Sequence, residues 1–211
     1  MFDDIDTILW DFDGVILDSV QIRNEGYWHV LKEYPKEEVQ KLIHYQNENG
    51  GLSRYVKFRY FYEQILGMEI SEEKVQEFAG QFSDYMRKTL TDPKRLISET
   101  VEFIRAGQGI YSMHVVSGSD QAELRFLCRE LKIDTFFRSI LGSPTPKIDL
   151  VKSILEEEKY NPGRVVLIGD SINDFEAADV NNILFYGYNN PSLKTKGEGY
   201  IERSAFFFPK Q

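Results

Sequence analysis

At 211 residues, with 42% hydrophobic and 28% charged content, the chain reads as an ordinary globular protein with room for one sizeable core and a smaller inserted unit. Its 25 Lys and Arg stand against 34 Asp and Glu, a net charge of -9, and no basic run could track a nucleic-acid backbone or an anionic membrane. The single cysteine, Cys128, excludes an internal disulfide and a thiolate metal cluster, which fits a reducing compartment.

The opening "MFDDIDTILW" carries acidic residues where a secretory leader carries basic ones. No apolar stretch approaches the roughly 20 residues that span a bilayer, so a cytoplasmic protein is the expectation. Thr7 to Asp13 is a short run of β-forming residues, expected as a buried strand, and it ends in "DFDG". Side chains alternate along a strand. If extended geometry persists, Asp11 and Asp13 project to the same side, and Gly14 permits a sharp turn after them. Two carboxylates that share one small region repel each other unless a cation or a proton intervenes. The pair therefore points to a divalent metal or to one carboxyl acting as a proton carrier.

From Val20 to Leu90, helical patterns follow one another without strong strand signals, over a length greater than one crossover requires. An inserted helical unit is expected over residues 20–90. Joints near Leu17 to Ser19 and Thr91 to Pro93 would connect it to a core made of residues 1–19 and 91–211. Inside it, "NENGGLSRYVKFRYFYEQIL" has a Gly pair and then Ser53 as a helix N-cap. Tyr55, Phe58, Tyr62, Ile65 and Leu66 follow at helical spacing, a stripe suited to packing between helices. The loop "NENGGLSRY" is the candidate to enter a site beyond the strand ends. Arg54 and Lys57 could there meet an anionic or polyhydroxylated ligand, although a solvated basic helix face is the more ordinary reading.

"YSMHVVSGS" is the second strong strand. It closes with Ser117, Gly118 and Ser119 before a helix, so free backbone N–H groups and the Ser117 hydroxyl can hold phosphate oxygens. Leu124, Leu127, Cys128 and Leu131 share one helical face, which makes Cys128 a buried structural thiol. A weaker strand is expected at "RSILGS", followed by Thr145 and Pro146 as N-cap and first helical residue. Lys147 comes next, a cation that opposes the helix dipole unless an anion is bound nearby. The third strong strand, "RVVLIGDS", delivers Asp170, and Asp174 follows one helical turn later.

With Asp11 and Asp13, four acids can converge. A set rich in oxygen and free of histidine and thiol suits Mg²⁺, which keeps several waters and commonly meets a substrate phosphate. "ILFYG" reads as a fifth strand, and "AFFFP" near the end as an edge strand or a packed tail. His29, His44 and His114 fall outside every motif and are read as structural. The alternation of strands and helices gives an α/β protein: a Rossmann-like parallel sheet with helices on both faces and an inserted helical cap. In such sheets ligands bind beyond the carboxyl ends of the strands.

Taken in order, "DFDGVILDS", "VVSGS", Lys147 and "GDSINDFEAA" resemble the haloacid dehalogenase-like hydrolase superfamily, in the branch of phosphoglycolate phosphatases and β-phosphoglucomutases with a helical cap after the first strand. The resemblance implies that Asp11 attacks phosphorus and forms an aspartyl-phosphate, while Asp13 protonates the leaving oxygen and then activates water. It implies Mg²⁺ held by the Asp11 carboxylate, the Asp13 backbone carbonyl and Asp170, with Asp174 direct or through water. Ser117 and Lys147 would hold the phosphoryl oxygens, with Phe12, Gly14 and Gly118 completing the phosphate-binding loops through their backbone.

Two positions depart from the common pattern: Ser117 stands where threonine also occurs, and Ile148 follows the lysine where many relatives have proline. Asp13, which the founding dehalogenases lack, argues for phosphoryl transfer over carbon–halogen cleavage. The expectation is an Mg²⁺-dependent phosphatase of a small phosphorylated metabolite, sugar phosphates included, because a cap of about seventy residues leaves a closed pocket. A phosphosugar mutase with the same nucleophile is the alternative. A binding module without turnover is a third reading, disfavoured because it has no use for a proton shuttle at Asp13.

Overall fold

The apolar run at Thr7 forms the centre of the fold. The structure, a computed structural model, describes residues 4–202. In it β1 (Thr7–Trp10) lies in the middle of a six-stranded sheet with β2 (Ser112–Asp120), β3 (Ser139–Ser143), β4 (Val165–Gly169), β5 (Leu184–Tyr188) and β6 (Gly199–Ile201). The order is β3-β2-β1-β4-β5-β6 and every pairing is parallel. All four residues of β1 are buried, as a strand covered on both faces requires.

Alternation along the strands divides the core in two. Ile8, Trp10, Met113, Val115, Val166 and Ile168 face one layer, with α5 (Ser98–Ala106) and α6 (Gln121–Glu130). Leu9, Val116, Val165 and Leu167 face the other, with α7 (Lys147–Glu158) and α8 (Ile172–Val180). Cys128 is buried on α6, and burial pushes its thiol up to about 12, so it packs as an inert apolar group.

Between β1 and α5 lie α1 (Val20–Val30), α2 (Lys36–Glu48), α3 (Arg54–Tyr60), a π-helical turn (Phe61–Leu66) and α4 (Glu72–Thr89). Ser53 caps α3, its hydroxyl accepting from the Val56 N–H. Phe58 and Tyr62 are buried as the stripe predicts, against Tyr27, Phe78 and Phe82. Each such ring contributes about 1.5–3 kcal/mol by leaving water. Tyr55 does not join this stripe; it turns toward the sheet and donates to Asp120 at 2.8 Å.

Three local expectations change. The first strand ends at Trp10 rather than at Asp13: the Phe12 carbonyl accepts from Ile16 and Leu17, which curls the chain into a turn. Pro146, with ψ of 145°, is the N-cap of α7, and Lys147 is its first residue, one position later than the Thr145–Pro146 reading. β6 escaped sequence reading because three residues carry too little periodicity. The "AFFFP" segment, 205–209, lies outside the described residues. No helix among the described residues is long and apolar enough to cross a membrane.

His114, read as structural, sits on β2 with only 1% of its surface exposed, its ring nitrogens bonded to the Ser139 and Tyr160 hydroxyls. Burial, with Arg138 nearby, pushes its imidazole down to about 4. The native ring therefore stays neutral over a range in which the unfolded ring takes up a proton. Stability should fall as pH drops from about 6.5 to about 4, by up to about 3 kcal/mol from this group. Urea denaturation of native and His114→Gln chains across that range checks it: the variant should lose distinctly less.

Candidate active site

Beyond the carboxyl ends of β1, β2 and β4, the chain encloses a cavity of about 610 Å³. Asp11, Asp13, Ser117, Gly118, Asp170 and Arg54, all singled out in the sequence, line it. The Asp11 N–H still donates to Ile168 at 2.9 Å, so β4 fixes the aspartate at the sheet edge. The chain then turns at Gly14, whose φ is +81°. That φ favours glycine, and a Cβ there would fall 2.0 Å from Asp170 Oδ2, so any other residue would be strained and would displace the Asp170 carboxylate. The Phe12 side chain is buried in the apolar core, and only its backbone can serve a ligand.

Lys147, 7% exposed, lies behind this front. It donates to Asp11 Oδ1 at 2.7 Å and also to Asp174. Burial opposes its charge, but the two carboxylates outweigh it and hold the ammonium well above the usual lysine range. Asp174 is fully buried and closes a capping box: its Oδ2 accepts from the Ser171 N–H at 2.9 Å and the Ser171 hydroxyl at 2.6 Å. Asn190 donates to the Asp170 carbonyl at 2.8 Å, while the Asp170 carboxylate has no hydrogen-bond partner among the described residues.

Oxygens of Asp11, Asp170 and Asp174 lie within 4.8 Å of one another. Three carboxylates thus meet one cation, leaving the charge of one divalent ion unmatched. Burial and then the Asp174 charge push Asp11 up to about 7; burial and the Asp11 charge push Asp170 well up. An all-oxygen cluster with excess negative charge and one uncommitted carboxylate fits a hard divalent cation such as Mg²⁺.

Asp13 has the opposite surroundings. Burial raises the cost of its charge, but the Arg23 guanidinium, with hydroxyls of Ser119 and Ser19, holds its carboxyl below the usual range. Arg23 Nε is 3.0 Å and Ser119 Oγ 2.6 Å from its oxygens. Ser117, 1% exposed, accepts from the Ser119 N–H at 3.1 Å, which leaves its own proton free to donate.

The inserted helices close the cavity from above. The "NENGGLSRY" loop is in contact with the core: a Cβ on Gly118 would fall 2.3 Å from the Gly51 carbonyl. Arg54 and Lys57 are 3% and 2% exposed, which overturns the solvated-face reading of α3, because that helix is enclosed between α4 and β2. Sequence reasoning also missed Arg23 and Glu123. Glu123, at the start of α6, is fully buried and accepts from Arg23 at 2.5 Å and from Arg54 at 2.6 Å. Burial works against its charge, and the two guanidiniums more than reverse that. No local signal announces this triad, since its members lie 100 and 69 positions apart in the chain.

The parallel sheet with acids at its strand ends, roofed by inserted helices, defines an α/β protein of Rossmann-like architecture with an acidic, cation-ready centre. The chain belongs to the haloacid dehalogenase-like hydrolase family, whose model matches residues 8–187. It is similar to the phosphoglycolate phosphatase of Aliivibrio fischeri, 23% identical over an alignment of 203 residues, with 90% of this chain and 88% of the relative covered. Among solved structures it is similar to one described as a predicted phosphatase from Clostridium acetobutylicum, with TM-score 0.75, 18% identity and 94% and 93% of the two chains covered. It is also similar to the β-phosphoglucomutase of Clostridium difficile, with TM-score 0.73, 16% identity and 93% and 90% covered.

Replacing Glu123 by Gln keeps its shape and leaves two buried guanidiniums without their shared charge. The variant should be less stable by about 3–5 kcal/mol. Urea denaturation monitored by tryptophan fluorescence checks this; a loss below about 1 kcal/mol would show that the triad does not hold the helices on the sheet.

Proposed function

We propose that the protein is a Mg²⁺-dependent phosphomonoester hydrolase acting on a small phosphorylated metabolite through an aspartyl-phosphate. The observation that carries this reading is the pair of aspartates in opposite surroundings on one cavity. Asp11 faces a lysine and two further carboxylates, whereas Asp13 faces an arginine and two hydroxyls. Two like groups whose environments push them apart divide into two roles.

In this reading Asp11 Oδ attacks phosphorus and the ester oxygen leaves as the phosphorus–oxygen bond breaks. Asp13 gives that oxygen a proton. An anionic ester beside Asp13 raises the cost of its negative charge and returns a proton to it before attack. In the second half Asp13 takes a proton from water, which displaces Asp11 and frees phosphate. Lys147, the Ser117 hydroxyl and backbone amides near Phe12 and Gly118 hold the phosphoryl oxygens, while Gly14 lets the loop turn close to them. Asp11, the Asp13 backbone carbonyl, Asp170 and Asp174 would hold Mg²⁺, which supplies charge neutralisation between an anionic nucleophile and an anionic ester. Residues 20–90 act as a cap that excludes water from the core of 1–19 and 91–211. The phosphoglycolate phosphatase relative supports a small phosphorylated acid as substrate class.

Phosphate release from a panel of phosphorylated acids, sugars and nucleotides, with and without Mg²⁺, tests the reading. Native protein should need the metal, and Asp11→Asn should lose at least about 10³-fold in rate. Mg²⁺ should also raise the melting temperature of native protein and leave Asp170→Asn nearly unmoved. Release unaffected by Asp11→Asn sinks the nucleophile assignment. Isomerisation of a sugar phosphate, dependent on a bisphosphate, would instead make the protein a mutase like its Clostridium difficile neighbour.

A further inference from the structure

Three cap cations approach the cavity, and they are not equivalent. Arg23 is tied to Asp13 and Glu123. Arg54 is tied to Glu123 at 2.6 Å and to the Ser83 hydroxyl at 2.7 Å, and its guanidinium also rests over the Phe82 ring, 4.6 Å from the centroid. Lys57 is as deeply buried as either, yet its ammonium meets only the Gly50 carbonyl, at 3.2 Å. Arg23 and Arg54 thus share the carboxylates of Asp13 and Glu123, and Lys57 is the one of the three without an ion pair among the described residues.

We propose that Lys57, and not Arg54, is the residue that reads the leaving group, and that the group it reads carries one negative charge of its own, a carboxylate. This rests on the phosphoester reading above and adds its specificity determinant. An ammonium kept from water without a counter-ion is costly, so it gives up its proton readily unless an anion arrives to match it. Burial, with Arg23, Arg54 and Lys147 nearby, pushes Lys57 down to about 7 against the pull of Asp13. An incoming anion restores the charge, and the resulting ion pair forms only with the substrate present. A second phosphate would bring more charge than one ammonium can match, and a neutral polyol none. Arg54 has no such vacancy: recruiting it would strip Glu123 of half its partners.

The test uses 2-phosphoglycolate and ethyl phosphate, esters of similar length that differ in the carboxylate, bound to Asp11→Asn protein in Mg²⁺ and followed by calorimetry. The carboxylate ester should bind about 10- to 100-fold more tightly than ethyl phosphate. Lys57→Met should remove at least about tenfold of that preference, and Lys57→Arg should keep most of it. The melting temperature of unliganded Lys57→Met should hold or rise, since a buried unmatched charge is gone; if that variant does not fold, Lys57→Gln serves instead.

An unchanged preference in the Lys57 variants, or its loss in Arg54→Met alone, overturns the proposal. So does tighter binding of ethane-1,2-diol bisphosphate than of the carboxylate ester. Failure of the parent reading looks different: native protein releases no phosphate from any ester while the selectivity of binding persists. If neither ester binds, both readings fall together.

Discussion

Asp11, Asp170 and Asp174 cannot stand within 4.8 Å of one another in a buried site without something to hold their charge. The rest of the structure answers that constraint. Lys147 is drawn under two of the three, and α7 begins at this residue although a cation there works against the helix dipole. Ser171 and the start of α8 are committed to Asp174. What remains is a negative excess that opens on the cavity. That excess suits a divalent cation, which the all-oxygen cluster is built to hold.

The opposite balance holds above. The cap side carries positive excess, and Glu123 determines where that excess sits by occupying Arg54 and part of Arg23. A single carboxylate on α6 thereby ties α1 and α3 together and leaves Lys57 without an ion pair among the described residues. The same triad fixes α1 and α3 against α6, so the walls of the cavity that carry Arg23 and Arg54 are held in place by these ion pairs.

How much of this could be read from the chain follows from distance along it. Buried parallel strands announce themselves as short apolar runs, and their ends display Asp11, Asp13, Ser117 and Asp170 because those residues interrupt the runs. Lys147 and Asp174 were legible through position at helix starts. Arg23, Glu123 and the burial of Lys57 were not. Arg23 looks like any charged residue on a helix of mixed face, and Glu123 like an ordinary first-turn acid of α6. Only the meeting of segments 69 and 100 residues apart makes them a unit. β6 was missed for a simpler reason, being three residues at the sheet edge.

The failure on α3 is instructive in its direction. Amphipathic reasoning assigns basic residues to water because most helices have one solvated face. α3 has apolar Phe58 against the cap interior and Arg54 and Lys57 against the cavity, so its polar side faces an enclosed, ligand-sized space. A helix in that position shows the same sequence pattern as a surface helix. What separates them is the cost of burial: a surface lysine needs no partner, whereas Lys57 has a carbonyl for company and no anion. An unmatched buried charge facing a cavity constrains what ligand that cavity can bind. The sign, number and place of such charges identify its chemistry more narrowly than the shape of the cavity does.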